Sequence, residues 1–527
     1  MNCGPLPCPE RPAFNEAVGT LSARDSTWIL AATILGSSMD FIDGTVVNIA
    51  LPSLQRSFVA TGTQVQWVVE AYALFLSSLL LAGGSLGDRF GLRRAFLAGV
   101  ALFACGSVWC GLAPNLTQLL IARSMQGVAG ALLVPNSLAF LSASYSGAQR
   151  GRAIGTWSGF ASMMTAVGPV LGGWMVQHGS WRWVFFINVP IALITGWIVL
   201  SKTARVGPRT QSRSVDWKGT ILGTLGLSAL TYSLMEWDSS HILVRLIGIL
   251  GVAMLAAFVF AERRAKEPIM PIELFRSRTF SGANILTFFL YAALSAALFY
   301  LPLDLIQIQG YTPTQAGMAM LPLVLTLFLL SRWAGGLIDR FGPRLPLTVG
   351  PLITACGYAL LAIPGVGGPY WKTYLPALIV LGLGMAISVA PLTTTVMSSV
   401  SPGRSGAASG INNTISQTAA LLALAICSPL FYQAFSKSLP IRLAQHRVTA
   451  DLSTQISDQS RRLGAIETND PAARLAVDDS FVNAFRLITL LACGSAVAAG
   501  ATAAFTVRGR SDARGNIPGA SSVPANT

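Results

Sequence analysis

Two carboxylates, Asp40 and Asp43, stand three residues apart within the otherwise apolar run of residues 28–52, WILAATILGSSMDFIDGTVVNIALP. At that spacing they share one helix face. A carboxylate in a membrane-spanning helix is costly, so such a group faces a bundle interior or a water-filled cavity. The pair therefore reads as a proton or cation site; a helix-end acid reaching the headgroups, or a structural ion pair, is the alternative. Two more ionisable residues interrupt apolar runs: Glu70 in WVVEAY and Arg123 in LLIARSMQGVAGA. At 1.5 Å of rise per residue, Asp43, Glu70 and Arg123 lie about 8, about 6 and about 10 Å below the same membrane surface. A neighbouring arginine favours the charged form of a carboxylate and burial disfavours it. A carboxylate alternating between those surroundings loads and releases a proton. Asp43 is read as the proton-coupling acid and Arg123 as the residue that tunes it, a static Asp43–Arg123 ion pair being the alternative. Asp40 and Glu70 are candidates for holding a cationic substrate or a second proton.

The elements that must carry these residues are membrane helices. The chain has 527 residues, 52% hydrophobic and only 11% charged, with a mean hydropathy of +0.58; soluble proteins carry about 25% charged residues. Apolar runs of 18 or more residues number fourteen, near 28–51, 66–86, 94–113, 117–141, 152–176, 183–202, 216–236, 242–262, 280–304, 313–337, 345–364, 373–397, 406–434 and 481–505. The net charge of +14 is that of cytoplasmic loops collecting Lys and Arg, and the basic segments lack a nucleic-acid module. Those basic blocks, residues 88–94, 202–218 and 262–278, all fall on one side when both termini are cytoplasmic. The polar first 27 residues do not have the form of a cleavable signal peptide.

One repeat is visible: GGSLGDRFGLRR (83–94) after the second span returns as GGLIDRFGPR (335–344) after the tenth. A repeated loop on the same side implies two homologous bundles in parallel orientation. The expected organisation is an N-terminal tail (1–27), a six-helix bundle (28–202), a linker with two inserted helices (203–279), a second six-helix bundle (280–505) and a C-terminal tail (506–527). Residues 436–480 are expected as a long extracytoplasmic loop.

At this point the sequence resembles the major facilitator superfamily, in its fourteen-span drug:proton antiporter branch of EmrB/QacA-like transporters. The motifs that carry the resemblance are IDGTVVNIALP around Asp43, GSLGDRFGLRR, LLIARSMQGVAGA around Arg123, GPVLGG (168–173), WRWVFFINVP (181–190) and SGAASGINNTISQ (405–417), in order across about residues 25–505. The resemblance implies an all-α polytopic fold of two six-helix bundles plus two inserted spans. It implies proton-driven export of small amphipathic or cationic compounds by alternating access. A metabolite importer or symporter and a non-transporting sensor are the rival readings. In one place the chain departs from the branch: its thirteenth span reads Ser416-Gln417-Thr418-Ala419 and carries no acid.

Gating roles follow from the resemblance. Gly84, Asp88, Arg89, Gly91 and Arg94, with Asp339 in the second copy, look like a cytoplasmic latch, an acid set against a helix N-terminus. Gly168, Pro169 and Gly172 look like the antiport motif, where small residues let helices approach and bend; Gly155 and Gly159 share the spacing. Asn48, Trp67, Tyr72, Gln126 and Asp304 are candidates for substrate contact, as are Asn412, Asn413 and Gln417, which face the cavity by family analogy. Asp304, near the outer end of its span, is also where an ordinary solvated acid would sit. No GxxxxGK[ST], GxSxG or HExxH motif occurs, and the 7 cysteines and 3 histidines form no metal pattern. The chain therefore reads as no enzyme, with no cofactor beyond the proton motive force. Its expected partners are a small molecule, protons and the lipid bilayer, with a periplasmic adaptor as an open question and the monomer as the working unit. The expected location is the cell (inner) membrane.

Overall fold

The computed structural model describes residues 23–145, 147–203, 216–237, 241–265, 268, 270–400 and 405–507. The two tails and the 204–215 linker thus lie largely outside the described residues. Every regular element among them is helical. The first half holds α1 (Ala23–Phe58), α2 (Gly62–Phe90), α3 (Leu92–Leu112), α4 (Leu116–Ser144), α5 (Gly147–His178), α6 (Trp183–Phe186) and α7 (Asn188–Lys202). An inserted hairpin follows, α8 (Trp217–Met235) and α9 (Ile242–Arg264). The second half holds α10 (Arg278–Leu303), α11 (Pro313–Ala319), α12 (Leu321–Gly335), α13 (Leu337–Phe341), α14 (Arg344–Leu361), α15 (Tyr370–Ser398), α16 (Ser405–Gln445), α17 (Ala450–Asp458) and α18 (Pro471–Thr506).

Among the described residues, thirteen helices are long and apolar enough to cross a membrane. The expected span 216–236 is present as α8, 19 residues long, but is not one of those thirteen. Helix starts follow local chemistry. Thr61 and Thr312 each close a capping box, with Gln64 and Gln315, and Asp470 accepts from the Ala472 and Ala473 amides at the start of α18.

The two halves repeat one packing scheme: α4 lies against α2 and α3, as α15 lies against α12 and α14. The repeated loop is visible in the backbone. Gly91 and Gly342 both follow Phe and both have positive φ, 96° and 74°, a conformation that a Cβ would strain. The hairpin lays α8 against both halves, α2 and α16, where Leu74, Leu227 and Leu421 form one buried cluster.

The two ends of the molecule differ. At the end where α1 finishes, one apolar core runs through both halves, from Ile42–Leu54 in α1 to Ala293–Leu303 in α10 and on into α16 and α18. At the end bearing the repeated loops the core divides into separate clusters, one in each half. Residues 436–480, expected as a loop, are mostly helical: α16 runs on to Gln445, α17 and a 3-10 turn Ser460–Ala465 follow, and α18 begins at Pro471. The chain between α16 and α18 forms a strap over the fused end, called the capped end below.

Candidate functional site

Asp43 and Arg123 meet inside the first half. Arg123 Nη1 donates to Asp43 Oδ2, and both side chains are sealed from solvent, 1% and 0% exposed. Asp43 Oδ1 accepts from Gln126 Nε2 and Asn188 Nδ2, each at 3.3 Å. Arg123 also donates from Nη1 to Gln126 Oε1 at 2.9 Å and from Nε to the Val68 carbonyl at 2.9 Å. Gln126 is itself fixed by a 2.8 Å bond to Ser107 Oγ. Five helices therefore converge here: α1, α2, α3, α4 and α7. Their burial is tolerable because a buried charge must be paired and hydrogen-bonded. The guanidinium lies 4.4 Å from the centre of the Tyr72 ring, a cation–π contact. Tyr72 in turn donates its hydroxyl to Asp40 Oδ1. The arrangement is one chain, Asp40–Tyr72–Arg123–Asp43, with an acid at each end and one fixed cation in the middle.

Glu70 stands apart from that chain. Its Oε1 accepts from Gln66 Nε2 at 3.3 Å while Gln66 reaches the Leu424 carbonyl of α16 at 2.8 Å. Glu70 is fully buried, and its Oε2 has no hydrogen-bond partner. It belongs to the seam between the halves.

The glycines of α5 differ in what they touch. A Cβ on Gly168 would lie 2.1 Å from Thr45 Oγ1, and one on Gly172 would lie 2.4 Å from a Val46 methyl, so both serve close packing of α5 on α1. Gly173 and Gly317 bring the halves together: Cβ atoms there would each lie 2.2 Å from a carbonyl oxygen, of Pro313 and Pro169 respectively. Gly155 and Gly159, expected to share this role, have nothing within 4 Å of an added Cβ. In the repeated loop the tight positions are Gly83 and Gly87, against Ala131 and Asn136, whereas Gly84 meets only ordinary contact with Pro135. Arg89 and Arg94 are exposed; Arg93 instead donates to the Val199 carbonyl at 2.7 Å and to Thr203 Oγ1 at 3.2 Å, binding the C-terminal carbonyls of α7. Asp88 is partly buried and Asp339 exposed.

Most substrate-contact candidates are engaged within the helices. Tyr72 and Gln126 belong to the Asp43 chain. Trp67 packs against Tyr232 of α8, ring centres 6.4 Å apart. Asn412 donates to Asn284 Oδ1 at 3.0 Å and Thr287 Oγ1 at 2.6 Å within the second half. Asn48, Asn413 and Gln417 are partly exposed. Asp304, expected near solvent, is 1% exposed, because α15, α18 and the strap cover the C-terminal end of its helix. Asn188, Ser107 and Gln66 were not singled out from sequence, although Asn188 and Ser107 are each a lone polar residue in an apolar run. Among the described residues no three of His, Cys, Asp and Glu stand where they could hold a metal ion.

Residues 33–424 match the family description Major Facilitator Superfamily. The chain belongs to the major facilitator superfamily. This major facilitator is 33% identical to the tetracenomycin C resistance and export protein of Streptomyces glaucescens over 94% of each chain. It is 31% identical to the multidrug resistance protein Stp of Mycobacterium tuberculosis over 88% of each. To the puromycin resistance protein pur8 of Streptomyces alboniger it is 35% identical, over 76% of this chain and 80% of the relative. In fold it is similar to a bacterial homolog of the human lysosomal transporter Spinster, crystallised inward-facing and unoccupied. That likeness has a TM-score of 0.64 at 17% identity and covers 92% of this major facilitator and 98% of the other chain. It is a multi-pass membrane protein.

Proposed function

We propose that this major facilitator exports small amphipathic, hydrophobic or cationic compounds in exchange for protons, by alternating access between its two halves. The observation that carries this is the buried chain Asp40–Tyr72–Arg123–Asp43. One guanidinium serves two carboxylates there, so the net charge of the group depends on whether a proton is aboard. A change in that charge changes the cost of burying it, which ties proton loading to the rearrangement of the surrounding helices. The relatives named for resistance and export support the direction of transport and the substrate class.

The fused core at the capped end and the divided core at the loop end support an inward-open state, with the capped end extracytoplasmic and both termini cytoplasmic in the cell (inner) membrane. The protein then works as a monomer, needs no cofactor and is driven by the proton motive force. Four hydrogen bonds across the seam, Gln55–Arg462, Gln66–Leu424, Gln55–Gln307 and Gln177–Thr314, hold the extracytoplasmic side shut. The position of Glu70 in that seam supports a role in meeting a cationic substrate once the seam opens.

The test is proton movement in everted vesicles holding an imposed pH gradient, on adding ethidium and a panel of cationic biocides. Dissipation of the gradient by the wild type but not by Asp43→Asn is the expected result. Equal dissipation by both removes Asp43 from coupling, and none by the wild type overturns proton antiport of these compounds.

A further inference from the structure

The second half contains a buried carboxylate that the Asp43 chain does not use. Helix α10 ends in a π-type turn, Asp304–Ile308, in which the Gln309 amide reaches back to the Asp304 carbonyl at 3.0 Å. Wide turns of this kind cluster at functional positions. The Asp304 side chain is 1% exposed. Its Oδ2 accepts from Tyr374 Oη at 2.6 Å, and its Oδ1 has no partner within hydrogen-bond geometry. The Gln309 side-chain amide also faces the carboxyl but is bonded to the Gly365 carbonyl and the Gly367 amide.

An ionised carboxylate in such a place needs a cation. Among the described residues, the guanidinium that bonds this turn is committed elsewhere. Arg474 pairs with Asp478 at 2.9 Å and donates to the carbonyls of Gln307, Gly464 and Ile466. The other titratable groups whose charge reaches Asp304 are Asp478, Tyr374 and Tyr311. The two tyrosines are neutral, and the acid only adds repulsion.

We propose that Asp304 is a second proton-binding carboxylate of this transporter, taking its proton on Oδ1 from the capped-end solution. A cavity lies beside the turn without reaching Asp304 itself. Leu303 and Gln307, on either side of Asp304 in the same turn, line a cavity of about 500 Å³ whose wall also includes Gln55, Gln66 and Arg461. The turn is also linked to the moving parts. Gln307 Nε2 donates to Gln55 Oε1 of the first half at 2.9 Å, and Gln55 Nε2 donates to the Arg462 carbonyl of the strap at 3.0 Å. Separation of the halves at this end breaks those bonds and lets water reach Oδ1; closure seals the proton in. In its consequence for export this deepens the antiport reading, but the site itself is testable without any transport.

The first measurement is infrared difference spectroscopy of the full-length protein in phosphatidylethanolamine–phosphatidylglycerol vesicles, between about pH 5 and about pH 9. The protonated-carboxyl C=O band, to which the buried Glu70 can also contribute, is expected to lose one component in Asp304→Asn and to keep that component in Asp43→Asn and in Glu70→Gln. Tyr374→Phe, which removes the donor to Oδ2 and keeps the packing, is expected to shift the midpoint of that component. An unchanged band in Asp304→Asn, or an unmoved midpoint in Tyr374→Phe, overturns the proposal. If Asp304→Asn fails to fold, Tyr374→Phe decides alone. The second measurement is protons moved per ethidium exported, expected to fall by about one in Asp304→Asn. A vesicle preparation silent to every biocide but showing the Asp304 band would sink the antiport reading and leave this site standing.

Discussion

The two halves share a packing scheme and a loop, yet Asp43 in the first and Asp304 in the second are held in opposite ways. In the first half Asp43 has a guanidinium and two amide donors. In the second, Asp304 has one tyrosine hydroxyl and a bare oxygen, while the nearby Arg474 is spent on Asp478. Homologous frames thus carry different charge arithmetic. A fully paired acid suits coupling through rearrangement of its partners, and an unpaired one suits simple uptake and release of a proton. The repeat fixed the frame and left the chemistry of each half free.

The sharpest way to break this comparison is Asp43→Asn. Gradient-driven export in vesicles is expected to fall to background, with the protein still inserted and monodisperse. Loss of one partner from a buried pair typically costs about 3–5 kcal/mol, so thermal stability should be read alongside. Full retained transport would remove the difference between the halves.

Arg123→Lys comes next. It keeps the charge but cannot serve Asp43, Gln126 and the Val68 carbonyl together. Export is expected to drop by about 10–100-fold, in line with losing hydrogen bonds worth about 1.5–3 kcal/mol. An unaltered rate would mean that charge alone is needed in the first half.

Gly173→Val tests the seam that both halves share. A Cβ there would lie 2.2 Å from the Pro313 carbonyl, and overpacking costs about 1–3 kcal/mol. The variant is expected to favour separation at the capped end, seen as increased labelling of a cysteine placed at Gln307. Labelling equal to that of the wild-type background would show that the seam does not hold the closed state.

The smallest expected effect is from Asp88→Asn in the repeated loop. Turnover should fall by a few-fold, about 1 kcal/mol of helix-terminus interaction, while membrane orientation, set by the Lys and Arg residues, stays as it is. A reversed orientation would make the loop topogenic only.

Much of this was legible in the chain. The apolar runs located the helices, and the doubled GG…DRFG segment announced two halves. The depth of Asp43 and Arg123 placed them at one level, since helical rise is fixed at 1.5 Å per residue. What the sequence left open was rotational. Successive residues on a helix point about 100° apart, so a motif can locate a turn without locating the side that touches a neighbour. Gly83 and Gly87 make the tight contacts rather than Gly84, and Arg93 binds α7 rather than Arg94. For the same reason Glu70, close in depth to Asp43, turns to the other side of α2.

By itself, then, the sequence determined a membrane protein of two repeated helical halves with ionisable residues at defined depths, because hydropathy and helical rise are local properties. Only the tertiary structure decided which groups pair. Asp43 found Arg123 and Gln126 on α4 and Asn188 on α7, residues separated from it by up to 145 positions. It also decided that Asp304, at the end of its helix, is covered rather than solvated, because the strap and α18 return over it from far along the chain. Burial is set by what packs above a residue, and no window of neighbouring sequence contains that.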